Sequence, residues 1–164
     1  MEMMPRLARA ADRVVDTAAI VVFTAMLGCV LAQVVFRYFL NAPLVWSDEL
    51  ARYLFVWASF LGWIVAARRR SHLAIDMLVT RLGPRGAAGC RLFAAACAIG
   101  FAAILAWYGA RIAQRNWDVE ATSLAMTVGV VYAIVPLAAI AVGLHALADA
   151  RRAWRSYAGV PEAA

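Results

Sequence analysis

The residues of this chain whose types and spacing could support chemistry lie in three places. Asp48 and Glu49 form an acidic pair with Arg52 four positions after Asp48, His72 precedes Asp76 by four, and His145 stands near the end of a long apolar stretch. Residues four apart share a helix face, so Asp48 with Arg52 and His72 with Asp76 are spaced for local ion pairing or hydrogen bonding. A metal site would need more ligands than His72 and Asp76 provide. Haem ligation would want axial histidines within a helix bundle, where His145 has no companion. Cys29, Cys90 and Cys97 show no CxxC spacing and read as small hydrophobes, with no disulfide expected. There is no glycine-rich phosphate loop, no HExxH and no GxSxG. The expectation is a non-enzyme without a cofactor.

The elements that must position these residues follow from composition. Of 164 residues, 65% are hydrophobic and 16% charged, and the mean hydropathy is +0.75. Soluble domains are about half apolar and about a quarter charged, so this is the composition of a membrane protein. A charge near the bilayer centre is costly and ends a span. Four uncharged runs result. Thr17 to Phe36 matches a hydrocarbon core of about 30 Å. Tyr53 to Ala67 is shorter and must borrow length from the amphipathic stretch Val45 to Arg52, giving a span over about 47–67. The others are Leu92 to Ala110 and Ala121 to Ala148. The last is too long for an upright span, so it should tilt, bend near Pro136, or begin as an interfacial segment before Gly129.

The fold class expected is therefore all-α integral membrane, one domain over 1–164, with four transmembrane helices and short amphipathic interfacial helices. One such helix is expected where Leu73, Met77, Leu78 and Leu82 recur at helical spacing. Another begins at Pro43, with Asp48 and Glu49 in its early turns and Trp46 at headgroup level. The first run is too long for a signal-peptide core, and more membrane protein follows it, so no cleavage is expected there.

All 16 basic residues are arginine. Arg6, Arg9, Arg13, Arg68, Arg69, Arg70, Arg81, Arg85, Arg91, Arg151, Arg152 and Arg155 fall on one side of this topology, against Arg37, Arg52, Arg111 and Arg115 on the other. The positive-inside rule puts both termini and the middle loop in the cytoplasm. In a chain this apolar, such arginines decorate loops and lipid headgroups, and nucleic acid is not an expected partner.

None of the four runs contains Asp, Glu, Lys or Arg. Ion-coupled transporters keep an ionisable residue or a broken helix at the midplane, so this chain is a poor candidate to carry a translocation path alone. A small multidrug exporter, which needs a membrane-embedded glutamate in its first span, is disfavoured for the same reason. What the spans hold is packing material: Ala102, Ala106 and Ala110, Ala96 with Gly100, and Ala139 with Gly143 repeat every four residues. Trp57, Phe60 and Trp63 fall on one side of the second span, where they could meet lipid or another subunit.

The stretch RYFLNAPLVWSDELARYLFVWASFLGWIVAARRRSHLAIDML, from Arg37 to Leu78, resembles the small membrane subunit, the Q subunit, of tripartite ATP-independent periplasmic (TRAP) transporters. The matching elements are Arg37-Tyr38, Pro43, Trp46, Asp48-Glu49, Trp57, Phe60-Leu61-Gly62, the arginine cluster, and His72 with Asp76. Ser71 departs from the pattern, where the family frequently has glycine. The resemblance implies an importer of the bacterial inner membrane with three components. A periplasmic substrate-binding protein captures an organic acid of the C4-dicarboxylate or sugar or keto acid type. A large polytopic membrane subunit moves it with sodium, and the small subunit clamps to the large one as a scaffold. On that implication the subunit-interface candidates are Arg37, Pro43, Trp46, Asp48, Glu49, Arg52, Trp57, Gly62, His72 and Asp76. Arg68, Arg69 and Arg70 are expected to set topology and touch membrane lipids. A stand-alone membrane-anchored assembly or stability factor remains the alternative.

Overall fold

The computed structural model describes residues 3–68 and 84–157. They form four helices, α1 (Met3–Tyr38), α2 (Val45–Arg68), α3 (Pro84–Arg115) and α4 (Val128–Tyr157). Each holds a segment long and apolar enough to cross a membrane: Ala10–Tyr38, Val45–Arg68, Gly89–Arg115 and Val128–Arg155. This is the all-α membrane architecture that the hydropathy predicts.

The helices outrun the apolar runs because a charge ends the lipid-embedded part of a helix without breaking its hydrogen bonds. The short second run reaches a bilayer's thickness this way, since 24 residues of unbroken α2 rise about 36 Å. Val45 to Arg52 is thus the first two turns of α2 and not a separate interfacial helix. Pro43 lies two residues ahead of the helix, in the connection it was expected to end. Of the outcomes expected for the fourth run, the structure shows a separate segment before Gly129: residues 121–127 are not helical, α4 starts at Val128, and it continues unbroken through Pro136. The interfacial helix expected around Leu73 to Leu82 falls outside the described residues, as do Arg69, Arg70, His72 and Asp76.

Between α1 and α2 the chain reverses through Asn41, whose φ of 51° is a left-handed conformation that asparagine tolerates. Ala42 N–H reaches back to the Phe36 carbonyl at 3.1 Å and satisfies one of the last acceptors of α1.

Packing runs in a row. α1 lies against α2, α2 against α4, and α4 against α3. The two end helices do not meet, so the described residues form an open layer one helix thick. Its core is Leu61 and Ile64 of α2 with Ile134, Ala138 and Val142 of α4, and Val15, Ala18, Ala19 and Val22 of α1 close over one edge.

The α3–α4 contact is the tightest. A Cβ on Gly109 would stand 2.7 Å from Val135 Cγ1, and one on Gly143 would stand 3.4 Å from Ala102 Cβ. Ala95, Ala102 and Ala113 are buried on the same face of α3. Small residues at this seam let backbones approach and gain dispersion contact that lipid cannot supply. Ala102 and Gly143 therefore take the packing role expected of them, whereas Ala96 and Gly100 point outward.

Candidate functional site

Two polar clamps tie this layer at opposite ends, and a smooth α2 face lies between them. At the N-terminal end of α2, Pro43 fixes the chain's entry and Ser47 is fully buried. Ser47 Oγ donates to the Leu44 carbonyl at 2.7 Å, and the Ser47 carbonyl accepts from Cys29 Sγ of α1 at 3.3 Å. A small hydroxyl residue here lets α1 and α2 close on each other.

Directly after Ser47, the acidic pair divides its work. Asp48 accepts from Gln33 Nε2 of α1 at 3.2 Å. Its other oxygen lies 3.6 Å from Arg52 Nη2, with both side chains at least 70% exposed. Glu49 turns the other way. Its Oε1 accepts from Tyr53 Oη at 2.7 Å and from the Thr122 amide at 3.0 Å, and its Oε2 accepts from the Ser123 amide at 2.7 Å. The three acidic and basic residues thus do not form one mutual cluster: Asp48 pairs with Arg52, and Glu49 caps the α3–α4 loop.

That loop is built to be held. Glu120 and Thr127 form an antiparallel bridge, and Ala121 N–H donates to the Met126 carbonyl at 2.9 Å, as Val128 N–H does to that of Val119. The turn leaves the Thr122 and Ser123 amides free to aim at a carboxylate. At its base Gly129 is obligatory, because a Cβ there would lie 2.7 Å from Trp117 Cα.

The second clamp joins the other ends of α1 and α2. Arg68 Nη1 donates to the Asp12 carbonyl and lies 3.0 Å from Asp12 Oδ1, while Nη2 pairs with Asp16 Oδ1. Asp12 and Asp16 are one turn apart on α1, so a single guanidinium spans both. The Arg68 side chain is only 17% exposed. Beyond the topology and lipid role expected of it, Arg68 is thus an internal tether between α1 and α2. An acidic i,i+4 pair on α1, facing the arginine-rich end of α2, was the available signal.

Residues 26–156 match the family described as tripartite ATP-independent periplasmic transporters, DctQ component. This chain belongs to that family. Three relatives show the same kinship. A putative TRAP transporter small permease protein of Haemophilus influenzae (strain ATCC 51907 / DSM 11121 / KW20 / Rd) is 34% identical over 86 residues, 52% of this chain and 53% of that one. The sialic acid TRAP transporter permease protein SiaT of Haemophilus influenzae (strain 86-028NP) is 45% identical over 62 residues, 38% of this chain and 10% of that one. The sialic acid TRAP transporter small permease protein SiaQ of Vibrio cholerae (serotype O1, strain ATCC 39315 / El Tor Inaba N16961) is 31% identical over 71 residues, 43% of this chain and 41% of that one. The matched stretches span about half or less of these relatives.

The TRAP small permease subunit is a multi-pass protein of the bacterial inner membrane, and its Glu49 and Arg68 clamps differ in how they relate to the family match. Glu49, Tyr53, Thr122 and Ser123 all lie within it, whereas Asp12 and Asp16 precede it. Of the remaining expected site residues, Arg37, Pro43 and Trp46 are exposed at the α1–α2 connection. Trp57 packs against the core together with Phe60 and Trp63. Trp63 meets Phe101 of α3 edge to face at 5.9 Å between ring centroids. The aromatic side of α2 is thus largely consumed within the chain. Sequence reasoning missed Ser47, Gln33, Tyr53 and the Asp12–Asp16 pair.

Gly62 is exposed and has nothing near the position of a Cβ. With Phe55, Ser59 and Ala66, also exposed, it forms one outward face of α2 at three- and four-residue spacing. Ser59 Oγ donates to the Phe55 carbonyl at 2.8 Å, so its hydroxyl is already satisfied on this face.

Proposed function

We propose that this TRAP small permease subunit is the scaffold of a sodium-coupled, binding-protein-dependent importer of organic acids. Its role is to hold a large transport subunit in place. The observation that carries this reading is the Phe55–Ser59–Gly62–Ala66 face of α2. Partly buried aromatic rings fill one side of the helix, while the other presents Phe55 followed by the small residues Ser59, Gly62 and Ala66, with no unsatisfied polar group. In lipid such a face favours close approach of another helix. The open row adds to this, because a layer one helix thick with no Asp, Glu, Lys or Arg in its apolar runs offers little to line a path for an ion or an acid. The pathway then belongs to a partner. In the SiaT relative the matched stretch is a tenth of a permease protein, which supports a partner many times larger than the small-subunit portion.

The cargo class, a C4-dicarboxylate or a sugar or keto acid, rests on the resemblance of Arg37 to Leu78 to the family and on relatives named for sialic acid transport. The arginine distribution supports a topology with both termini and the connection from α2 to α3 in the cytoplasm. The Glu49 clamp then lies on the periplasmic side, within reach of a substrate-binding protein, and the chain itself catalyses no reaction.

The test is co-purification in mild detergent of the importer's large membrane subunit with this one, combined with sodium-driven uptake in proteoliposomes supplied with the binding protein. Gly62→Leu should abolish co-purification and uptake while the isolated subunit keeps its helical content. Uptake by the small subunit alone would overturn the scaffold reading.

A further inference from the structure

Where the last turns of α4 pass the first turns of α3, a shallow groove opens between Leu92 of α3 and Ala150, Arg151, Trp154 and Arg155 of α4. Arg151 and Arg155 are exposed and one turn apart, so their guanidiniums flank the same opening. No carboxylate among the described residues pairs with either one, whereas Arg152, on another face, is paired with Asp149. The groove therefore carries two positive charges that no carboxylate among the described residues compensates. Its lining between them is apolar, and it includes the amphipathic indole of Trp154, a side chain suited to the boundary between hydrocarbon and headgroups.

A second observation selects the kind of anion. Leu137, Ile140, Leu144 and Leu147 are all exposed. Their spacing places them on the α4 face that ends at Arg151 and Arg155. From Ile140 to Arg151 the helix rises about 16 Å, which is about half of a hydrocarbon core of roughly 30 Å. The apolar stripe thus has the depth of one leaflet. A soluble anion would make use of the arginines only. A phospholipid would use both features, its headgroup at the groove and its tails along the stripe.

We propose that the Arg151–Trp154–Arg155 groove is a binding site for an anionic phospholipid. The phosphate lies between the two guanidiniums, whose planar forks match its oxygens, and an acyl chain runs along Leu147, Leu144 and Ile140. Leu92 and Ala150 form the floor beneath the glycerol backbone. The site rests on α4 crossing the membrane and does not require the scaffold reading.

The experiment is native mass spectrometry of the full chain in a non-ionic detergent, titrated with phosphatidylglycerol, with phosphatidylcholine of the same acyl chains, or with glycerol 3-phosphate. Phosphatidylglycerol should be retained at about tenfold lower concentration than phosphatidylcholine, given the attraction of two surface arginines for anionic lipid. Glycerol 3-phosphate at the same concentrations should neither bind nor displace it. The double substitution Arg151→Gln with Arg155→Gln should remove the preference, and Arg115→Gln, at the other end of α3, should leave it intact. Equal retention of the two lipids by the unmodified chain, displacement by glycerol 3-phosphate, or a preference surviving the double substitution would each overturn the site. The two-lipid comparison on the unmodified chain decides the matter even if the double variant fails to fold.

Discussion

Ser123 donates its backbone N–H to Glu49 Oε2 at 2.7 Å, although the two residues stand 74 positions apart. Because Thr122 N–H donates to the other oxygen of the same carboxylate, the first turn of α2 fixes the loop that joins α3 to α4. The α1–α2 pair and the α3–α4 pair are otherwise joined mainly by apolar contacts of α2 with α4 and by the Trp63–Phe101 ring contact of α2 with α3. The carboxylate supplies the direction that dispersion lacks.

Glu49→Gln should therefore loosen the α3–α4 loop. The amide nitrogen would put a donor against one of the two backbone donors and would remove the charge that strengthens both bonds. Hydrogen exchange of the Thr122 and Ser123 amides should quicken by about tenfold or more. Asp48→Asn should leave those amides unchanged, because the exposed Asp48–Arg52 pair is worth at most about 1 kcal/mol. Equal effects from the two substitutions would remove Glu49 from this role.

The hydropathy made the four helices legible because uncharged runs of spanning length have few alternatives in lipid. It left open where α4 begins, since residues 121–127 carry no charge to end the run, and their turn is specified in part by hydrogen bonds to Glu49, far away in sequence. The acidic pair was legible as a pair, but not its division, because Asp48 meets α1 and Glu49 meets the loop between α3 and α4 only once the row is assembled. Arg68 was read with the cluster around it. Its separate role depends on two aspartates on α1, more than fifty residues away.

Arg68→Gln should lower the thermal stability of the subunit. It would leave Asp12 and Asp16 one turn apart without their shared cation, at a cost of about 1–3 kcal/mol for a clamp that is partly solvated. Arg68→Lys should recover part of this, since one ammonium cannot reproduce a fork spanning two carboxylates. Thermal unfolding in detergent, followed by circular dichroism, checks the order of the three proteins. Identical melting of all three would show that the clamp contributes nothing.

The two tight glycines should respond differently to alanine. At Gly129 the new Cβ would meet the backbone of Trp117, which cannot yield without reshaping the turn. At Gly109 it would meet the side chain of Val135, so Gly109→Ala combined with Val135→Ala should regain stability that Gly109→Ala loses. Overpacking of this kind costs about 1–3 kcal/mol. Melting of the two single variants and the double variant tests this, and no rescue at Gly109 would mean that the seam is looser than the contact implies.

The last prediction concerns orientation, on which the periplasmic assignment of the Glu49 clamp depends. The Arg68 end of the row also carries Arg13, Arg91, Arg151, Arg152 and Arg155, whereas the Glu49 end carries Arg37, Arg52, Arg111 and Arg115. Arginines near span ends resist translocation, so the richer end stays in the cytoplasm. Two of the Glu49-end arginines are locally engaged, Arg52 with Asp48 and Arg111 over the Trp107 ring at 5.2 Å. Reporter fusions after Arg85 and after Ala164 should read cytoplasm, and fusions near Asn41 and Asp118 should read periplasm. If the C-terminal fusion reads periplasm, the Glu49-held loop faces the cytoplasm and cannot meet a periplasmic binding protein. The two clamps and the α2 face would be untouched by that result, because their geometry is independent of which side is which.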